Sequence, residues 1–174
     1  MQNITLYIGD NATGKTRRLE SICKTHKYCV NNLEKYKSQR GIELDNNKVQ
    51  ALLDDDEYSY NNLRHSEKRN SIDAKYINEL LDMICSKGDV LIIDELDANL
   101  SLSDMMDITH AINTVRPYWK AIYVSGYNGD LRSIFNDTSE DGTQVYNPNI
   151  HTIDEHDNDI ELTEEQACEY IDSF

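Results

Sequence analysis

Eight residues near the start of the chain have the types and the spacing that phosphate binding requires. They match the pattern G-x-x-x-x-G-K-T and run Gly9-Asp10-Asn11-Ala12-Thr13-Gly14-Lys15-Thr16. Glycines let backbone N–H groups approach an anion closely, and the helix that follows such a loop adds a favourable dipole. We expect Lys15 to reach the β- and γ-phosphates of a nucleotide and the Thr16 hydroxyl to coordinate Mg²⁺. The pattern predicts a P-loop whose nucleotide-binding residues are Gly9, Asn11, Ala12, Thr13, Gly14, Lys15, Thr16 and Arg17.

Two acids after a short apolar run form the second candidate group. Asp94 and Glu95 directly follow residues 90–93, which are typical of a strand buried on both faces of a parallel sheet. Asp94 matches the acid that holds Mg²⁺ together with the P-loop hydroxyl of Thr16. Glu95 would then lie beside the γ-phosphate, where a carboxylate can act as a general base on water. We predict Lys15 and Glu95 as catalytic groups; the alternative is that both acids begin an exposed loop.

The residues around these motifs alternate between strand and helix patterns. Residues 4–8 predict a strand that leads into the P-loop, and residues 15–26 predict the helix that follows it. Alternation of this kind predicts an α/β fold with a mostly parallel sheet flanked by helices, and the P-loop pattern makes it one of the P-loop NTPase type. The other predicted strands are 28–30, 90–93 and 120–125. The other predicted helices are 33–40, 46–53 and 102–115, with a helical turn or two at 131–136. A further long helix has its apolar face over residues 72–84 and is predicted to end at Lys87-Gly88.

The last part of the chain predicts a small β/helix extension. We expect residues 137–174 to pack on the same domain as the P-loop core of residues 1–136. Within the extension, Val145-Tyr146 and residues 150–153 predict a hairpin or an edge pair. The run Thr163-Glu164-Glu165-Gln166 is typical of a capping box that opens a final helix.

Charge is distributed unevenly along the chain. The net charge is −15, but residues 1–132 contain all 17 Lys and Arg residues and 20 of the 32 acids. Residues 1–132 are therefore nearly neutral, while residues 137–174 hold twelve acids and no Lys or Arg. We interpret this acidic segment as a solvated face. A docking surface for a basic partner, or a shield that keeps DNA away, is the alternative, and direct nucleic-acid binding stays open.

Several protein classes and site types do not fit the composition. The longest apolar run, residues 90–93, is far shorter than the ~20 residues of a membrane-spanning helix, and no signal-peptide pattern precedes residue 4. Four scattered cysteines predict reduced thiols in a cytoplasmic protein rather than a zinc site. His151, Asp154 and His156 have metal-binding types, but we predict that they lie in a solvated loop.

Three stretches, taken in this order, resemble the ATP-binding-cassette ATPases. They are the P-loop, then Leu63-Arg64-His65-Ser66-Glu67-Lys68-Arg69, then the strand that ends in Asp94-Glu95. The middle stretch matches the family's Leu-Ser-Gly-Gly-Glu/Gln-Lys signature at Leu63, Glu67 and Lys68. The chain is most similar to the soluble structural-maintenance-of-chromosomes, DNA-repair and phage-defence types, and the resemblance covers residues 4 to about 126.

The chain also departs from the family pattern. The signature of the family docks onto ATP held by the opposite subunit, and here Arg64, His65 and Ser66 replace its Ser-Gly-Gly. Arg64 can supply a cation in trans, like an arginine finger, with Ser66 beside it. The alternative is an ordinary helix start with Ser66 as its N-cap. The family's switch histidine is replaced by Gly126-Tyr127-Asn128, which implies slow hydrolysis or hydrolysis completed by a partner.

The resemblance implies an ATPase that uses Mg²⁺ and ATP and pairs its subunits when ATP binds. The partner is then a second copy or a related ATPase subunit, and the pair regulates an effector protein or a nucleic-acid-processing subunit. A small-molecule or nucleotide kinase is the first alternative, with Arg64, Lys68 and Arg69 clamping the transferred phosphate. A nucleotide-stabilised interaction module without catalysis is the second.

Overall fold

The structure is a computed structural model of the 174-residue chain. It describes residues 3–9, 14–26, 29–39, 43–55, 71–98, 100–127, 137–138, 144–146, 148–163 and 165–167. Within these ranges no helix has the length and the apolar character needed to cross a membrane.

The secondary structure alternates as the sequence predicts. The strands are β1 (Ile4–Ile8), β2 (Cys29–Asn31), β3 (Val90–Ile93), β4 (Ala121–Gly126), β5 (Asp137–Thr138), β6 (Gln144–Tyr146), β7 (Asn149–Ile153) and β8 (Asp159–Leu162). The α-helices are α1 (Lys15–Thr25), α2 (Asn46–Leu53), α3 (Ser71–Ile84) and α4 (Leu102–Val115), and two 3₁₀ helices cover Glu34–Gln39 and Arg116–Tyr118.

Six of these strands form one sheet in the order β2-β3-β4-β1-β7-β8. Every neighbouring pair is parallel except β7 and β8, which are antiparallel. The helices connect parallel strands, as crossover geometry requires. The predicted α/β fold with a mostly parallel sheet flanked by helices is therefore confirmed. The carboxyl ends of β3, β4 and β1 lie side by side at one edge of the sheet.

Helices cover both faces of the sheet. On one face, α2, α3 and α4 pack against β1, β3 and β4 around side chains such as Leu6, Leu91 and Ile112. On the other face, α1 packs through Leu19 and Ile22. Burying the apolar residues of β3 on both faces explains why its sequence is an unbroken apolar run. Packing of this kind holds the ends of the strands, and the polar residues there, in fixed positions.

Capping hydrogen bonds support two of the predicted helix starts. The Asp104 N–H donates to the Ser101 hydroxyl at 3.1 Å, which begins α4 at the predicted place. The Thr163 N–H donates to the Gln166 side chain at 3.0 Å, and the Gln166 N–H donates back to the Thr163 hydroxyl at 3.1 Å. The second pair is a complete capping box, and the described residues 165–167 are helical.

The predicted pairing of Val145-Tyr146 with residues 150–153, as a hairpin or an edge pair, is wrong. Residues 144–146 pair with β5, whereas β7 lies parallel to β1 and antiparallel to β8. The hairpin turn follows β7 because the Asp154 carboxylate accepts the N–H groups of His156 at 2.9 Å and Asn158 at 2.8 Å. Part of the predicted acidic extension therefore supplies two strands of the main sheet.

The end of α3 also differs from the sequence prediction. The helix ends at Ile84 rather than at Lys87-Gly88. Ser86 forms an isolated bridge with Leu44, and the Lys87 N–H donates to the carbonyl of Glu43 at 2.9 Å. Backbone groups after Ile84 are therefore satisfied by the segment before α2, and the chain turns early.

A buried lysine closes this corner of the fold. The Lys48 ammonium on α2 donates to the carbonyls of Ser86 at 2.7 Å and Gly88 at 3.2 Å, and it lies 3.3 Å from the centroid of the Trp119 ring. The Trp119 indole N–H in turn donates to the carbonyl of Ile84 at 3.0 Å. Burial lowers the pKa of Lys48 from 10.5 to about 8, although nearby acids partly oppose the shift.

This pKa predicts how stability depends on pH. Below pH 8 the folded and unfolded chains both carry a charged Lys48, but between pH 8 and 10.5 only the unfolded chain does. Raising the pH through this window should therefore favour folding. We expect the unfolding free energy of the wild type, minus that of Lys48→Met, to rise by about 1 to 3 kcal/mol across the window in denaturant titrations. A free-energy difference that does not change with pH would contradict the lowered pKa of Lys48.

Candidate nucleotide-binding site

The described part of the P-loop has the backbone that a phosphate-binding turn requires. Gly14 precedes α1 in a left-handed conformation, with φ 96° and ψ 11°. A Cβ atom here would lie 3.1 Å from a carboxylate oxygen of Asp157 and 3.2 Å from the Arg17 guanidinium. The conformation therefore favours glycine, and a side chain here would also displace the exposed ends of Arg17 and Asp157. Three predicted nucleotide-binding residues lie outside the described part of the chain: Asn11, Ala12 and Thr13.

Lys15 is the first residue of α1 and is almost fully buried, with 5% of its surface exposed. Its ammonium donates a hydrogen bond to the carbonyl of Gly9, the residue after β1. The same ammonium lies 4.8 Å from the centroid of the Tyr127 ring. Lys15 is thus held at the carboxyl end of β1, the position predicted for the lysine that binds phosphate.

The carboxylate of Asp94 joins three elements of the site. It follows β3 and accepts a hydrogen bond from the Thr16 hydroxyl on α1 at 2.8 Å. Its other oxygen accepts a hydrogen bond from the Ser125 hydroxyl on β4 at 2.6 Å. Burial raises the pKa of Asp94, and these two hydrogen bonds oppose the rise. The two residues predicted to hold a metal ion are therefore in direct contact.

Asn32 fixes the backbone of Asp94 from the other side. Its side-chain oxygen accepts the Asp94 N–H at 2.7 Å, and its side-chain nitrogen donates to the Asp94 carbonyl at 3.0 Å. Asn32 directly follows β2, so this pair of hydrogen bonds joins the ends of β2 and β3. The position and direction of the Asp94 carboxylate are therefore set by both neighbouring strands.

Glu95 has an unusual backbone conformation. Its φ is 54°, in the left-handed region that residues with a side chain seldom adopt. Two contacts stabilise it: the Glu95 N–H donates to the Ser125 hydroxyl at 2.8 Å, and the Leu96 N–H donates to the Ser125 carbonyl at 3.0 Å. The turn places Asp94 and Glu95 together at the end of β3, as predicted.

Tyr127 occupies the position where the resemblance implies a histidine. The Glu95 carboxylate beside its hydroxyl, and then burial, raise the pKa of Tyr127 to about 12. Its N–H donates to both carboxylate oxygens of Asp97, at 3.2 and 3.1 Å. Tyr127 therefore contacts the P-loop lysine, Lys15, and the segment that follows β3.

The turn between β7 and β8 lies against the start of α1. Arg17, which the sequence predicts to bind nucleotide, pairs with Asp157 at 2.8 Å, and both side chains are well exposed. Arg18 pairs with Asp159 at 2.8 Å, and Asp159 also accepts a hydrogen bond from the Tyr7 hydroxyl at 2.7 Å. Exposed ion pairs of this kind add little stability, but together they fix the turn beside Gly14.

The donor set suits a phosphate-bound magnesium ion better than a metal held by protein alone. Among the described residues, no group of three or more His, Cys, Asp or Glu side chains is arranged to hold a metal. A hydroxyl and a carboxylate, Thr16 and Asp94, lie beside a buried ammonium, Lys15. Mg²⁺ takes few protein ligands and keeps waters and phosphate oxygens, so these residues fit it. The candidate trans residues, Arg64 and Ser66, lie outside the described ranges.

The sequence did not indicate roles for three residues that the structure brings to the site. Asn32, Ser125 and Tyr127 each stand at or directly after the carboxyl end of a strand. A single polar or aromatic residue at that place is the signal that could have identified them, because parallel strands present their carboxyl ends at one edge.

Comparison with solved structures shows which fold this is. A cobalt transport ATP-binding protein (cbiO-2) aligns over 86% of this chain with a TM-score of 0.52 and 14% sequence identity. The alignment spans 64% of that protein, so the chain covers less than two thirds of its length. The chain therefore shares the α/β fold of that structure.

A second solved structure aligns with the chain too weakly to show a common fold. A DNA replication initiation factor aligns over 99% of this chain and 44% of its own, with 16% identity, but the TM-score of 0.40 is too low to indicate a shared fold. No protein-family model and no curated protein matches the sequence.

Replacing the buried carboxylate of Asp94 should have opposite effects on the stability of the chain and on its Mg²⁺-dependent binding of ATP. A raised pKa means that the charge of Asp94 opposes folding at neutral pH, and that this cost falls as the carboxylate protonates. We expect Asp94→Asn to raise the thermal midpoint of the nucleotide-free chain at pH 7 and to lose the dependence of ATP binding on Mg²⁺. Glu161→Gln on exposed β8 is the control. A lower midpoint together with normal magnesium dependence would contradict the role given to Asp94.

Proposed function

We propose that the chain is a Mg²⁺-dependent ATPase of the cassette type. The observation that carries the proposal is the contact between the Thr16 hydroxyl and the Asp94 carboxylate, at 2.8 Å, next to the buried Lys15. The sequence contains a P-loop pattern and an acid pair separated by more than 70 residues, and folding brings them into contact. A glycine-rich turn that matched the pattern by chance would not be expected to lie in contact with the acid pair.

Each residue of the site has a task that follows from its contacts. Lys15 and the N–H groups at the start of α1 bind the phosphates, for which Lys15 exchanges the carbonyl of Gly9 for a phosphate oxygen. Thr16 and Asp94 hold Mg²⁺, which neutralises phosphate charge when it is bound. Glu95 accepts a proton from the attacking water. Ser125 keeps Asp94 and Glu95 together because it contacts both.

Binding of ATP then joins this chain to a second P-loop subunit. The partner is another copy or a related ATPase, and Arg64 and Ser66 of one subunit complete the site of the other. The pair regulates an effector protein, for example one that processes nucleic acid, in the cytoplasm. The acid-rich region after residue 136 offers a surface for a basic partner.

The base assignment is tested by Glu95→Gln. We expect ATP hydrolysis to fall by about 100-fold or more, because a positioned general base contributes about that much. ATP affinity should stay close to that of the wild type, since the glutamine keeps the shape of the side chain. Mass in solution, measured with ATP, with ADP and without nucleotide, should show a dimer that persists only with ATP.

A matched control removes the same charge elsewhere. Glu155→Gln lies in the exposed turn after β7, where its side chain is 86% exposed, and it should hydrolyse ATP normally. Parental hydrolysis by Glu95→Gln would show that another group is the base. A monomer under all three nucleotide conditions would contradict the cassette type of pairing.

A further inference from the structure

The register between β2 and β3 ends before it reaches Asp94. Asn31, the last residue of β2, pairs with Ile92, and the chain then leaves the sheet through Asn32 toward the 3₁₀ helix at Glu34–Gln39. The backbone of Asp94 lies beyond this last register pair. Because Asp94 is half-buried, its N–H and its carbonyl need hydrogen-bond partners from another source.

The side chain of Asn32 supplies both partners. Its oxygen accepts the Asp94 N–H at 2.7 Å, and its nitrogen donates to the Asp94 carbonyl at 3.0 Å. A side-chain amide carries the same neutral donor and acceptor as a peptide group, so Asn32 takes the place of one more backbone pair. An ionised carboxylate has no donor and an ammonium group has no acceptor, so neither type could make both bonds.

Buried residues on either side of Asn32 hold it in place. Asn31 is fully buried, and its side chain accepts the Leu33 N–H at 3.0 Å and donates to the Cys23 sulfur on α1 at 3.5 Å. Leu33 is also buried and packs in the apolar cluster between α1 and the sheet. Asn32 therefore starts from a fixed point beside α1, the helix whose first turn carries Thr16.

The direction of the Asp94 carboxylate depends on the backbone that Asn32 holds. An aspartate side chain is short and has few rotamers, so its carboxylate follows the orientation of its backbone. This carboxylate meets the Thr16 hydroxyl at 2.8 Å and the Ser125 hydroxyl at 2.6 Å. The chain turns sharply at the next residue, Glu95, where φ is 54°. Asn32 holds the backbone just before this turn, from the side of β3 opposite β4.

We propose that Asn32 is a positioning residue of the site and that it sets the affinity for Mg²⁺ by holding the Asp94 carboxylate toward Thr16. The inference rests on the proposed function, since it requires Asp94 and Thr16 to hold the metal ion beside bound phosphates. Asn32 acts through the backbone of Asp94 and need not touch the ion. Its loss should weaken the binding of ATP with Mg²⁺ and leave the binding of metal-free ATP as it is.

The test is Asn32→Ala, which removes both hydrogen bonds to Asp94. The dissociation constant of a non-hydrolysable ATP analogue is measured by calorimetry over a series of Mg²⁺ concentrations and in EDTA. The Mg²⁺ concentration that gives half of the full effect should rise by about tenfold or more, because a group that orients a metal ligand typically contributes about that much to metal affinity. In EDTA the dissociation constant should stay within about twofold of the wild-type value.

Two further variants separate positioning from a general loss of stability. Asn47→Ala removes the same side-chain groups from an exposed place on α2, and it should bind the analogue like the wild type at every Mg²⁺ concentration. Ile112→Val trims a fully buried side chain on the face of the sheet opposite α1, so it should lower the thermal midpoint and keep the wild-type dependence on Mg²⁺. An equal shift of the Mg²⁺ dependence in Ile112→Val and Asn32→Ala would overturn the proposal.

A double substitution shows whether Asn32 acts through Asp94. In an Asp94→Asn background the carboxylate that Asn32 positions is absent. Adding Asn32→Ala there should leave the binding of the analogue with Mg²⁺ unchanged, since residues that act through one another are non-additive. A further loss of affinity in the double variant would show that Asn32 acts by another route, and it would overturn the proposal.

Failure of this proposal differs from failure of the proposed function. If Mg²⁺ tightens the binding of the analogue to the wild type and to Asn32→Ala alike, the role of Asn32 is wrong and the proposed function stands. If the wild type binds no analogue, or binds it equally with Mg²⁺ and with EDTA, the proposed function is contradicted and this proposal falls with it.

Discussion

The contact on which the rest of the site depends is the Asp94 carboxylate between two hydroxyl groups. Thr16 donates to one oxygen from α1, and Ser125 donates to the other from β4. Burial opposes the charge of the carboxylate, and these two donors stabilise it. The side-chain amide of Asn32 holds the backbone of the same residue, so the ends of β2, β3 and β4 and the start of α1 are joined at Asp94.

The parallel sheet explains why so many functional groups converge there. Parallel strands present their carboxyl ends at one edge, and β1, β3 and β4 are neighbours in the sheet although α1 to α4 separate them in sequence. The left-handed turns at Gly14 and Glu95 lie at this edge too. Non-glycine residues in this conformation cost about 1 kcal/mol or more, which the sheet can support because its strands are buried on both faces.

Local patterns predicted the fold and the main candidate site because they are short and repeated. The P-loop spacing, the apolar run before Asp94 and the helical periodicity of α4 each depend on residues close together in sequence. The sequence does not predict the roles of Asn32, Ser125 and Tyr127. The contacts of a residue at the end of a strand depend on which strand lies beside it in the sheet, and the local sequence does not show this. The hairpin after residue 144 was assigned wrongly for the same reason: β7 pairs with β1, which lies more than 140 residues earlier in the chain.

The most direct test of the account is calorimetric titration of the wild type and Lys15→Ala with ATP in the presence of Mg²⁺. Lys15 is the buried cation at the end of β1, and its loss leaves the phosphates without their main charge partner. We predict one ATP bound per wild-type chain, unchanged binding in the exposed control Lys120→Ala, and no measurable binding in Lys15→Ala. Equal binding by wild type and Lys15→Ala would contradict the account.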